Sequence, residues 1–306
     1  MRWKKLGLIF CPQGQCEEMS SHAAVPIAQQ VKGSRYRIYY SARNTANRSL
    51  PGWVEIDLDD PQQILSVMEE PFLALGKLGC FDEDGVMPCW IVSKDGMHYL
   101  YYIGWNRSLS VPFRNALGLA VSDDGGRTFT KYSCGPILDR STCDPCFVAS
   151  CSVLCEPDGW RMWYLSCVKW EMQEGKPVHC YHIKCARSDD GIRWEREGVV
   201  CIDFQSAEEY AISRPSVVKD NGVYKMWYSY RGKSYRIGYA ESFDGTHWTR
   251  MDTEVGIGVS GAGWDSEMIE YPFIFDHSGH RYMLYNGNGY GRTGFGLAVL
   301  EKSICP

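Results

Sequence analysis

Acidic side chains standing a fixed, even distance before prolines are the residues of this chain best suited to chemistry. Glu270 precedes Pro272 by two residues, Asp84 and Asp82 precede Pro88 by four and six, and Glu209 precedes Pro215 by six. His22 stands four before Pro26. Even offsets along a regular strand share one face, so these side chains are expected to converge. Two carboxyl groups flanking a glycosidic oxygen are what sugar cleavage requires: one protonates the leaving group, the other is base or nucleophile. The plainer alternative is a rim of carboxylates paired with arginine or solvated.

A second set is cationic. Arg43, Arg107, Lys169, Arg231 and Arg292 all follow strands of one repeated type. In a chain of formal net charge −5, convergent cations suggest an anionic subsite for a carboxylate-bearing sugar, a phosphate or a nucleotide sugar. Mutual neutralisation with the carboxylates is the competing reading. Trp105, Trp170 and Tyr290 are placed to stack on sugar faces.

The elements that must position these groups are five repeats. RYRIYYS (35–41), HYLYYIG (98–104), WRMWYLS (160–166), YKMWYSY (224–230) and RYMLYNG (281–287) share one aromatic pattern, and their equivalent tyrosines, 40, 102, 164, 228 and 285, are 62, 62, 64 and 57 residues apart. Each is preceded by an apolar strand, often carrying a proline, and followed by a third strand. Three third strands run into a shared turn: SDDGGRTF (122–129), SDDGIRW (188–194) and SFDGTHW (242–248). Asp and Ser bond nearby backbone N–H groups there and Gly supplies positive φ, so these turns read as structural punctuation. Fourth strands such as WEREGVV (194–200) come next, and the last repeat lacks one. WKKLGLI (3–9) has the matching pattern. The expectation is an all-β, five-bladed β-propeller of four-stranded antiparallel blades, a single domain over 1–306. The N-terminal strand completes the last blade and hides the open edges. The innermost strands then begin on the face where second strands end, around a sugar-sized polar funnel.

Composition removes other classes. No block of like charge argues for a nucleic-acid or membrane surface, and no segment is apolar enough to span a bilayer. The start, MRWKKLGLIFCP, has too short an apolar run for a signal peptide, so the 14 cysteines are expected as reduced thiols in a cytoplasm. Cys143, Cys146, Cys151 and Cys155 fit no common zinc spacing and read as packed thiols. No metal or other cofactor is expected.

On motifs such as YKMWYSY and SFDGTHW, over nearly the full length, the chain resembles the five-bladed glycosidase superfamily of arabinanases, invertases and levansucrases and the related mannoside phosphorylases. In the arabinanase and invertase branches a Glu two residues before a strand-one proline is the general acid. Glu270-Tyr271-Pro272 matches that pattern. Those branches also place an Asp directly before a first-blade proline, where this chain has Val25 with His22 nearby. The resemblance then implies a second carboxylate on the second blade, where Asp82 and Asp84 stand. Asp144-Pro145 is a further candidate, and Arg214-Pro215 would lie beside the acid to bind a hydroxyl, carboxylate or phosphate. Cleavage of a small, anionic glycoside is the function so implied. Phosphorolysis, with Arg43, Arg107, Lys169 and Arg231 as the phosphate site, and a non-catalytic glycan- or protein-binding propeller are the alternatives.

Overall fold

The computed structural model describes residues 1–14 and 16–301. Alternating apolar and aromatic residues bounded by Gly, Asp and Ser turns dictate strands, and twenty form. The first is β1 (Trp3–Phe10). A first meander follows as β2 (Ser21–Lys32), β3 (Arg35–Arg43), β4 (Ser49–Asp57) and β5 (Asp60–Val67). A second is β6 (Gly85–Lys94), β7 (Met97–Arg107), β8 (Phe113–Ser122) and β9 (Thr130–Lys131). The third is β10 (Phe147–Glu156), β11 (Gly159–Gln173), β12 (Lys176–Ser188) and β13 (Val200–Ile202). The fourth is β14 (Ala211–Asp220), β15 (Val223–Arg231), β16 (Tyr235–Ser242) and β17 (Thr249–Arg250), and the last strands are β18 (Glu270–His277), β19 (His280–Asn286) and β20 (Phe295–Leu300).

Each meander pairs antiparallel in chain order, and β1 pairs with β20, Trp3 lying opposite Leu300. Single parallel bridges, Ser49 with Gly85 and Tyr181 with Ala211, join the first meander to the second and the third to the fourth. The first strands pack side by side, β2 on β6, β6 on β10, β10 on β14 and β14 on β18, and β18 in turn meets β2. Serines stitch them: Val217 N–H donates to Ser152 Oγ at 3.0 Å and Ile274 N–H to Ser216 Oγ at 2.9 Å. Three of the fourth strands, β9, β13 and β17, are only two or three residues long, whereas β1 and β5 have eight each. WEREGVV yields only a bridge from Glu195 to Arg187 and the first residue of β13. An outermost strand has a partner on one side alone, so little holds it in register.

The repeated tyrosines explain much of the remaining pattern. Tyr102, Tyr164, Tyr228 and Tyr285 are buried, and each donates its hydroxyl to an aspartate, respectively Asp82 (3.0 Å), Asp144 (3.3 Å), Asp252 and Asp265 (3.1 Å). Every one of those carboxylates also takes a cation from the outer edge of its own meander: Lys131 at 2.6 Å, Arg196 at 2.8 Å, Arg250 at 2.6 Å and Lys5 at 2.6 Å. Lys5 lies on β1, so the N-terminal strand does for the last meander what fourth strands do elsewhere. Opposite Tyr40, Tyr102, Tyr228 and Tyr285 across the ladder stand Gly52, Gly118, Gly238 and Gly296. A Cβ on Gly118 would lie 2.2 Å from Tyr102 Cζ. Gly118→Ala is therefore expected to destabilise by about 1–3 kcal/mol through overpacking, seen as a lower urea midpoint; an unchanged midpoint would refute the account of this position.

The shared turns are clasps between meanders. Ser122 Oγ donates to Asp124 and accepts Gly126 N–H, and the same bonds recur at Ser188 and Ser242. The turn carbonyl is then caught by an aromatic from the preceding meander. Tyr39 reaches Gly126 O at 2.7 Å, Tyr101 reaches Gly191 O at 2.8 Å and Trp163 reaches Gly245 O at 2.7 Å. The equivalent Trp227 finds no such carbonyl and packs edge-on against Trp3, 6.1 Å between centroids. Among the described residues no helix is long and apolar enough to cross a membrane.

Candidate active site

The starts of the first strands surround a cavity of about 310 Å³. Val25, Met87, Ser150, Arg214 and Tyr271, one from each of five first strands, line it. Arg43, Asn115, His179, Tyr181, Arg231, Tyr235 and Tyr290 complete its polar wall. A wider groove of about 1250 Å³ lies beside Phe10, Glu18, Glu69 and Glu70. It lacks this convergence of first strands.

The backbone around the cavity is strained where it meets it. Val25, Arg214 and Tyr271, each directly before a proline, have φ of 50°, 54° and 56°, a region costly for residues other than glycine. In each case a neighbouring strand captures the backbone N–H: Val25 on Asn286 Oδ1 (2.8 Å), Arg214 on Ser150 Oγ (3.2 Å) and Tyr271 on Ser229 Oγ (2.7 Å). The ladder register slips at the same points. Strain held this way from outside fixes side-chain direction at a site.

Glu270 stands one residue behind Tyr271 and is fully buried, and neither carboxyl oxygen has a hydrogen-bond partner among the described residues. Burial drives its pKa well above the ordinary carboxyl value, against the weaker pulls of Arg231 and Tyr271. A carboxyl group whose pKa is raised by burial is suited to holding and then donating a proton. The raised value also has a consequence for stability. Between the unfolded and folded values the native chain holds a proton that the unfolded chain has lost, so stability falls as pH rises through that window, by up to about 1.4 kcal/mol per pH unit. Urea unfolding at pH 5 to 8 should show wild type losing stability relative to Glu270→Gln as pH rises; parallel curves would contradict the burial of an acidic proton here.

The cations differ in their surroundings. Arg214 is fully buried, its two terminal nitrogens donating to the carbonyls of Cys89 and Pro26 while Nε has no partner. Burial lowers its pKa to about 10. Arg231 lies against the rings of Tyr210, Tyr235 and Tyr290 at 5.4, 5.4 and 5.7 Å, and its Nε is also unpartnered. Arg43 donates to Asn47 Oδ1 at 2.9 Å. His179 stacks on Tyr181 with 4.6 Å between centroids, and burial, then Arg231, lowers its pKa to about 4. Tyr181 and Tyr235 share a short hydroxyl–hydroxyl bond.

Of the residues expected from sequence, Arg43, Arg214, Arg231 and Tyr290 line the cavity, with Glu270 next to Tyr271 of its wall. The others are held elsewhere. Asp84 accepts Arg107 N–H at 2.9 Å, with Arg48 Nε 3.7 Å and Arg107 Nε 3.8 Å from its other oxygen. Asp82 and Asp144 are the tyrosine-bound, cation-paired carboxylates described above. Glu209 is bonded to Arg250 at 2.8 and 3.1 Å. Lys169 is half-exposed beside Glu171, and Trp170 packs on Phe113, Phe147 and His179. His22 bonds Ser21 at 3.0 Å, and burial, then Arg43 and Arg292, lowers its pKa to about 4. Of the close-spaced cysteines, Cys151 lies 3.6 Å from Cys89 and Cys155 is exposed. Sequence reasoning overlooked Asn115, His179, Tyr181 and Tyr235. They sit where third strands begin, which in a meander is the face where second strands end, so topology did carry that signal.

No family model matches the chain. Two curated Mycobacterium tuberculosis proteins, Uncharacterized protein MT1551 and Uncharacterized protein Rv1502, are each 44% identical over 302 residues, covering 99% of this chain and 100% of theirs. Among solved structures, a glycoside hydrolase superposes with a TM-score of 0.75 at 15% identity, covering 99% of this chain and 95% of that one. Another, from work on the GH130 family of mannoside phosphorylases and its glycoside hydrolases that target beta-1,2 mannosidic linkages in Candida mannan, gives 0.66 at 15% identity over 98% and 93%. The chain shares its fold with these glycoside hydrolase and mannoside phosphorylase structures, and it belongs to one family with the two mycobacterial proteins.

Proposed function

We propose that this chain is a single five-bladed propeller that cleaves a glycosidic bond in its central cavity, with Glu270 as general acid. The contact of β18 with β2 and the pairing of β1 with β20 support the closed ring. The observation that carries the function is Glu270 itself: buried, in no ion pair among the described residues, its pKa raised by that burial, and placed behind the cavity wall by a strained Tyr271-Pro272 step. The likeness to glycoside hydrolases and mannoside phosphorylases points the same way.

Hydrolysis needs a base or nucleophile opposite the acid. Asp84 fills that role in the reading from sequence, and it would have to leave Arg107 to do so. One observation favours a second reading, phosphorolysis: among the described residues no Asp or Glu lines the cavity, and an attacking phosphate needs no enzymic base of its own. The assay that separates them incubates a panel of glycosides with purified protein, with and without inorganic phosphate, and identifies products by NMR. Free sugar in both conditions supports hydrolysis; sugar 1-phosphate formed only with phosphate supports phosphorolysis. No cleavage of any panel member under either condition would count against an enzyme and for a binding propeller.

A further inference from the structure

Many of the arginines wholly or partly buried elsewhere in this fold are matched with carboxylates. Arg37 pairs with Glu55, Arg250 with Glu209 and Asp252, Arg281 with Asp220 and Asp276, Arg161 with Glu156, and Arg196 with Asp144. Such pairing is what a desolvated cation requires. Arg43, Arg214 and Arg231 depart from that pattern together. None has a carboxylate within ion-pair distance among the described residues, and all three line the one cavity. They reach it from different places, the end of β3, the start of β14 and the end of β15. Their hydrogen bonds go to neutral acceptors, Asn47 and the carbonyls of Cys89 and Pro26, and Nε of both Arg214 and Arg231 is left over. Glu270, the acidic group behind the wall, forms no ion pair with any of the three among the described residues.

We propose that the ligand of this cavity is an acidic sugar: the glycone carries a carboxylate or phosphate ester whose charge is held by Arg43, Arg214 and Arg231. The volume decides that the charge belongs to the sugar. At about 310 Å³ the cavity is at the small end of ligand pockets, roughly 300–1,000 Å³, and all three cations are among the residues that line it. It has room for little more than one sugar-sized occupant, which would share that small space with the three cations. The proposal rests on the glycoside-cleaving reading of the same site and names its substrate class.

The test is calorimetric titration of the intact protein with glucuronate, galacturonate, mannuronate, glucose 6-phosphate and mannose 6-phosphate. Each is set against its parent hexose and against inorganic phosphate. The expected result is binding of at least one acidic sugar with its parent hexose weaker by at least about tenfold. Arg231→Gln and Arg43→Gln should each weaken that acidic sugar roughly 10- to 100-fold, as loss of a charge-assisted hydrogen bond would. Should Arg231→Gln fail to fold, Arg43→Gln, only partly buried at a strand end, still reads the effect. Equal affinity for the parent hexose, binding of inorganic phosphate alone, or no binding of any acidic sugar would each overturn the proposal. The two readings fail separately. Turnover surviving in Glu270→Gln removes the acid and leaves the titrations standing. Preference for a neutral sugar, with turnover lost in Glu270→Gln, removes only the acidic substrate.

Discussion

Glu270→Gln is expected to lose roughly 10²- to 10⁴-fold in turnover, the usual contribution of a positioned general acid, while its fold is retained. Glutamine copies the shape of a protonated glutamic acid and lacks only the mobile proton. Because the carboxyl oxygens of Glu270 are buried and in no ion pair among the described residues, the substitution breaks no salt bridge. Stability at neutral pH should thus hold or rise, and circular dichroism with urea unfolding checks that the lost rate is chemical. Turnover within a few-fold of wild type would remove Glu270 from the mechanism.

Asp144→Asn should show the reverse pattern, a large loss of stability with the chemistry of the folded fraction kept. Asp144 is fully buried and takes Ser166 at 2.6 Å, Tyr164 at 3.3 Å and Arg196 at 2.8 Å, with Lys184 3.6 Å away. The amide can still meet the hydroxyls, but two cations lose their counter-charge, and breaking a buried pair in this way costs about 3–5 kcal/mol. Asp82→Asn, which strands Lys131 alone, should cost less. Urea midpoints measure the loss, and kcat/KM per folded molecule measures what survives. A stable Asp144→Asn with abolished activity would return this carboxylate to the list of catalytic groups.

The contrast between these aspartates and Glu270 marks how far sequence could reach. Strand order, the tyrosine spacing and the matching of WKKLGLI to a fourth strand follow from repetition, because each repeat must bury the same face against its neighbours. The place of Glu270 at the start of a first strand follows from its offset to Pro272. The convergence of Asp82, Asp84 and Glu209 with it was not sound, for a physical reason. The even-offset rule assumes a regular strand, and the chain is irregular at these points: Asp82 and Asp84 precede β6, Glu209 precedes β14, and positive φ at Val25, Arg214 and Tyr271 turns the backbone before each proline. Nor does local sequence reveal that a tyrosine twenty residues on, and a lysine or arginine further still, will claim an aspartate. The repeat held that clue, since Tyr102, Tyr164, Tyr228 and Tyr285 all have the same kind of partner.

The leaving-group dependence of cleavage tests the central claim most directly. Values of kcat/KM are measured for wild type and Glu270→Gln on one glycone with a series of leaving groups, from activated dinitrophenol to an unactivated alcohol. If Glu270 delivers the proton, wild type varies little along the series, and the variant loses most on the alcohol and least on the dinitrophenol, which departs unaided. Parallel slopes for the two proteins would contradict the assignment, whatever the size of the overall loss.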